Sequence, residues 1–111
     1  KIPYHISNAC TGHLGIPAAK RYDIETWTPA QSKYREVTSC SSTTDFQSRR
    51  LNIKYKNANK NEFCHTLNGT GMAFGRALVS IMENFQTKDG VIKIPKVLHQ
   101  YLSFKEIKKS S

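Results

Sequence analysis

Over residues 71–86 the apolar side chains recur with helical period, and nowhere earlier in the chain do they. Phe74, Leu78, Ile81 and Phe85 step by four, three and four along one stripe, and Val79 and Met82, with Gly75 before them, make a second. This pattern predicts a helix buried on more than one side, with Arg76, Ser80, Glu83 and Thr87 on its remaining stripe. Gly90 suits the left-handed position that stops it. Upstream, the chain alternates with period two between breaks at Gly, Pro and Asn, which predicts short strands at 4–8, 22–27, 34–40, 51–55 and 62–67. The last two read as antiparallel partners across a polar turn. Residues 39–44 read as a small polar segment, 44–47 as a helical turn, 91–95 as extended and 97–102 as a final helical turn. The outcome is an α+β unit built on a meander, with a frayed basic tail at 105–111.

A chain of 111 residues with 38% hydrophobic and 23% charged residues can build a core. No run approaches the roughly 18 apolar residues of a membrane-spanning helix, and residues 1–5 carry no secretory signal pattern. A start without Met, at this size, leads us to expect a piece of a longer protein. The formal charge of +9 favours polyanions or serves solubility. Arg49, Arg50, Lys54, Lys56 and Lys60 form a stretch with no acid among residues 46–61, and Lys105, Lys108 and Lys109 add to the tail. Cys10, Cys40 and Cys64 are odd in number and widely spaced, so buried free thiols in a reducing compartment are expected. With His5, His13 and His65 they form no two-ligand zinc clip.

Two segments can carry chemistry. In 68–76 a strand ends, Gly69 and Gly71 allow close backbone approach, and a helix begins whose N-terminus favours anions. Arg76, in its first turns, can stack on a planar base and address phosphate. Equally, the glycines can serve packing and Arg76 can pair with an acid such as Glu83. No P-loop is present, because the Lys-Ser/Thr pair is missing. In 34–42, Glu36 and the hydroxyls offer hard oxygen donors for Mg²⁺, or form a polar strand entering a turn. Strict alternation puts Glu36 and Ser39 on opposite faces, so a shared metal requires a bulge or strand end between them.

The runs Tyr34-Arg35-Glu36-Val37-Thr38-Ser39-Cys40-Ser41, Asp45-Phe46-Gln47-Ser48-Arg49-Arg50 and His65-Thr66-Leu67-Asn68-Gly69-Thr70-Gly71, through Gly75-Arg76, resemble the seryl-tRNA synthetase family. Residues 1–104 resemble the C-terminal portion of its catalytic domain, of the bacterial and organellar type. The resemblance implies a class II synthetase fold, an antiparallel sheet flanked by helices. It implies serine activation with Mg-ATP to seryl-adenylate and transfer to tRNA(Ser), a homodimeric parent, no membrane, and a cytoplasmic or organelle-matrix location. By the same resemblance Glu36, Val37, Thr38, Ser39 and Arg76 contact ATP, with Glu36 and Ser39 associated with Mg²⁺. Glu36 and Arg76 are then catalytic, and Asn68 and Thr70 line the serine pocket. A bulge between Glu36 and Ser39 is implied as well.

His13 stands where the family has an acidic residue, and Ser42 replaces a usual Asn. The tRNA-binding arm and the first and second class II motifs, including the arginine that grips the α-phosphate, are not in this sequence. The 111 residues alone are therefore expected to be inactive and prone to unfolding or aggregation. His13 and the basic 49–60 stretch motivate an alternative, a non-catalytic synthetase-like paralogue that binds RNA or a partner.

Overall fold

The computed structural model describes residues 1–109. Strands β1 (Tyr4–Asn8), β2 (Lys20–Thr28), β3 (Lys33–Thr44) and β6 (Thr66–Thr70) share one sheet in the order β1-β2-β3-β6. Strands β4 (Lys54–Asn57) and β5 (Lys60–Phe63) form a hairpin, and β7 (Ile92–Lys93) pairs antiparallel with β8 (Glu106–Ile107). The helices are α1 (Phe46–Leu51) and α2 (Phe74–Phe85). In place of one compact unit the chain forms two. The first comprises Lys1–His5, Glu25–Val37 and residues 73–109, the second Ile6–Ile24 and Thr38–Met72. No helix among the described residues is long and apolar enough to cross a membrane.

In the first unit α2 leaves most of its apolar residues exposed, with Ile81 and Phe85 half-buried. Phe74 is 76% exposed, and Leu78, Val79 and Met82 also face solvent, while Ser80 is buried. Beneath the helix lie the hydroxyl of Thr26, hydrogen-bonded to that of Ser80, and the carbonyl of Trp27, which accepts from Asn84 Nδ2 at 2.9 Å. Glu83 Oε2 accepts the Ala30 N–H at 2.8 Å. A strand that presents hydroxyls and carbonyls needs a polar partner, because buried polar groups must be hydrogen-bonded. Ser80 and Glu83 of the polar stripe therefore turn inward while Arg76 stays exposed, and the expected burial of α2 on several sides is overturned. The helix ends before Gly90, whose φ of +76° and N–H bonded to Thr87 O close the turn. Ile92 and Ile94, with Val37, are the buried apolar residues among those described. The expected frayed tail is ordered where it is described: Ile107 pairs with Ile92, and Glu106 takes a hydrogen bond from Lys93. Residues 110 and 111 of that tail lie outside the described residues.

The second unit is also held by hydroxyls. Thr43 and Ser48 are almost fully buried. Thr43 Oγ1 bonds Thr66 O at 3.0 Å, and Ser48 Oγ sits 3.0 Å from Asp45 O and 2.5 Å from Cys64 O. The Ser/Thr-rich 39–44 segment continues β3 in place of a polar loop. It pairs antiparallel with β6 and carries its register shift between Ser42 and Thr44. Leu51 ends α1 in place of opening a strand, because Asn52 adopts a left-handed φ of 54°, and β4 starts at Lys54. The predicted 62–67 strand is two: β5 ends at Phe63 and β6 begins at Thr66.

Candidate functional site

Each unit gathers part of the predicted site set. In the first, the start of α2 is pinned to β3 by the Ala73 N–H, which donates to the carbonyl of buried Val37 at 2.6 Å. Glu36 precedes that anchor and Arg76 lies one helical turn beyond it, so the two side chains meet across the opening. Arg76 Nη1 is 3.8 Å from Glu36 Oε2, with the guanidinium side chain 51% exposed and the carboxylate side chain 27%. A cavity of about 460 Å³ is lined by both, together with Glu25, Tyr34, Arg35 and Val79. Arg76 pairs with Glu36 and not with Glu83, whose carboxylate is on Ala30.

The ion pair is long and partly exposed, and a contact of that kind is weak. The cavity wall is ordered around it. Tyr34 packs against His5, ring centroids 4.0 Å apart, and edge-on to Trp27. His5 Nε2 donates to Glu25 Oε2 at 2.5 Å, and Arg35 Nε donates to Gln31 Oε1 at 2.6 Å. Two carboxylates, two guanidinium groups and an aromatic ring around one opening suit a planar, multiply anionic molecule that brings a divalent cation. Glu25, Tyr34 and Arg35 were not among the sequence-predicted site residues. Their position beside Glu36 or on the preceding strand was the available signal.

In the second unit, Ser39 pairs with Thr70, Cys40 with Gly69 and Ser41 with Asn68 across the ladder. Directly opposed residues project to one side of a sheet, so Ser39, Ser41, Asn68 and Thr70 share a face. Ser39 and Asn68 line a cavity of about 240 Å³ with Arg21, Ser41, Thr43 and Gln47. Arg21 is fixed there by its two bonds to buried Asp23, at 2.7 and 2.8 Å. Thr38 lines a second, largely apolar cavity of about 380 Å³ with Ile6, Tyr22, Ile24 and Cys40, Ser39 borders both cavities, and the Thr38 hydroxyl donates to Thr70 O. A side chain at position 69 would put its Cβ 3.1 Å from Ser39 O, which is why glycine stands in this ladder. Glu36 lies ahead of the β3–β6 ladder, which begins at Ser39.

Cys10, Cys40 and Cys64 are free, but Cys10 and Cys40 are exposed, because they sit at a turn and on an open strand face in place of a core. His13 ends a 3₁₀ turn with Nδ1 3.6 Å from Cys10 Sγ. The Ser42 carbonyl accepts the Ala19 N–H at 2.8 Å. Among the described residues no three His, Cys, Asp or Glu side chains converge as a metal cluster.

Residues 1–85 match the family model for the tRNA synthetase class II core domain (G, H, P, S and T). Over 108 residues the chain is 56% identical to a serine–tRNA ligase of Thermosipho melanesiensis, covering 96% of this chain and 25% of that protein. It is 58% identical, also over 108 residues, to a serine–tRNA ligase of Picrophilus torridus, covering 96% and 24%. It superposes with a TM-score of 0.94, at 53% identity, on the crystal structure of seryl-tRNA synthetase from Pyrococcus horikoshii complexed with ATP, over 99% of this chain and 25% of that one. The chain thus spans about a quarter of the length of the curated relatives it matches.

Proposed function

Since this chain belongs to the class II tRNA synthetase core domain family, we propose that it is the C-terminal part of the catalytic domain of a serine–tRNA ligase. The ligase activates serine with ATP to seryl-adenylate and passes the seryl group to tRNA(Ser). The observation that carries this reading is the Arg76–Glu36 pair at the mouth of one cavity, with the start of α2 tied to β3. The ATP complex of the similar Pyrococcus protein supports the nucleotide as ligand. The archaeal relatives match as closely as the bacterial ones, so the Gly71–Arg76 run alone supports the bacterial and organellar type.

In this reading Arg76 lies against adenine and carries positive charge toward the phosphates, and Val37, Thr38 and Ser39 extend the nucleotide contact along β3. Mg²⁺ suits the donor chemistry: it keeps several waters, borrows phosphate oxygens and asks the protein for only one or two hard ligands. The resemblance gives Glu36 and Ser39 as the residues that would ligate it, and the ion would neutralise phosphate charge as pyrophosphate leaves. Asn68 and Thr70, on one face of β6, address serine. A homodimeric, cytoplasmic or organelle-matrix ligase is part of the same proposal, and three free thiols suit a reducing compartment.

Serine-dependent ATP–pyrophosphate exchange tests it. The ligase containing this chain exchanges, and residues 1–111 alone do not. Exchange by the 111-residue chain would refute the requirement for the rest of the site. A full-length protein that binds tRNA without exchanging would establish the non-catalytic paralogue, the alternative that His13 and the basic 49–60 stretch motivate.

A further inference from the structure

The most concentrated charge of the second unit lies on residues that do not line its cavities. Arg49 and Arg50 end α1, and Lys54, Lys56 and Lys60 sit on the β4–β5 hairpin, all five exposed. The hairpin sorts them. Lys54 opposes Phe63 and Lys56 opposes Asn61, so both lysines stand on one face, while Tyr55 opposes Glu62 on the other. Arg49 joins the lysine face, its guanidinium 4.9 Å from the Phe63 ring centre and Lys54 Nζ 4.8 Å from it. Of the nearby acids, Glu62 is on the opposite side, bonded by Tyr55 Oη at 2.8 Å, and Asp45 pairs with Arg49 at 2.7 Å, which leaves the two lysines to carry the net charge of this face. Among the described residues Lys54 and Lys56 have no carboxylate within ion-pair distance.

We propose that this face of the β4–β5 hairpin, Arg49, Lys54 and Lys56 around Phe63, is a binding surface for the sugar–phosphate backbone of RNA. Lysines two residues apart on one strand stand about 7 Å apart in a straight line, a row of mobile point charges with polar Asn61 beside them. Such a row tracks a backbone and positions it without reading sequence. An anionic membrane would need apolar side chains to insert among the charges, and on this face the one aromatic ring is covered by two cations. The inference takes from the proposed function only that the partner is RNA.

The test uses the full-length ligase and unfractionated tRNA, with affinity measured by fluorescence anisotropy over a salt series. K54Q/K56Q makes the log–log salt dependence shallower by about 1.8, roughly 0.9 per lost phosphate contact, and weakens binding by at least about tenfold near 0.1 M salt. K56Q alone, at a side chain with no ordered contact, gives about half that change in slope and guards against a folding defect. K88Q, at an exposed lysine of the other unit, leaves the slope unchanged. Serine-dependent pyrophosphate exchange without tRNA stays at the wild-type level in all three. An unaltered slope in K54Q/K56Q overturns the proposal, as does loss of binding to anionic phospholipid vesicles with tRNA binding intact. Failure of wild-type exchange with the slope effect present would sink the ligase reading and leave this surface standing.

Discussion

Arg76 shows how much one side chain depends on its neighbours' backbone. Its guanidinium faces Glu36 because Ala73, three residues earlier, gives its N–H to Val37. In the full-length ligase Arg76→Ala should lower serine-dependent exchange by at least about tenfold, as for a contact made in the transition state. Arg76→Lys should recover little of it, because a point charge neither stacks nor forks. Gly69 makes an independent case. Alanine there meets the Ser39 carbonyl at 3.1 Å, so the strands must part by a few tenths of an ångström. A loss of about 1–2 kcal/mol in urea unfolding is expected, and no loss would show that the ladder yields freely. Glu106 is the residue to titrate. The hydrogen bond and charge of Lys93 hold its carboxyl below the usual carboxylate range, with Lys108 adding to the effect. Its folded value is the lower one, so the stabilisation is present above the unfolded value and fades as pH falls through the folded one. The difference in thermal midpoint between wild type and Glu106→Gln should therefore shrink on acidification below about pH 4.5 and vanish in stronger acid.

Among the elements, α2 separates what the sequence reveals from what it hides. Period 3.6 located the helix to within three residues of each end, because spacing is a property of the chain alone. Which stripe faces inward was not legible: it depends on what β2 offers, and β2 offers Thr26 and the Trp27 carbonyl. Ser80→Ala should leave Thr26 buried and unpaired, costing about 1–3 kcal/mol. The double variant with Thr26→Val should cost less than the two single changes together, a coupling that a double-mutant cycle in urea reads directly. The strand boundaries near 51–67 failed for a related reason. Leu51, Ile53 and Tyr55 alternate as a strand does, yet Asn52 takes the left-handed conformation, and the first of the three becomes helical. Alternation over residues 51–55 cannot register a reversal of backbone handedness at Asn52. In the site, Glu36 and Arg76 were legible as chemistry-bearing types beside a helix start. Glu25, Tyr34 and Arg35 were not, since only the fold brings them to the same opening.

For the whole molecule, composition indicated a core but not its nature. Among the described residues the buried apolar ones are Val37, Ile92 and Ile94, whereas six polar ones are buried as deeply. A chain that keeps hydroxyls inside and Phe74, Leu78 and Met82 outside should bind a hydrophobic dye in its 111-residue form. The full-length ligase should bind far less per molecule if the remainder covers α2. The polar seam under that helix also sets an angle. A greasy contact tolerates slippage, but turning α2 by a single residue, about 100°, would sever the Ser80, Glu83 and Asn84 bonds together. The seam thus acts as an index pin, and the bearing of the arginine that projects from the same cylinder is fixed by three hydrogen bonds it does not make.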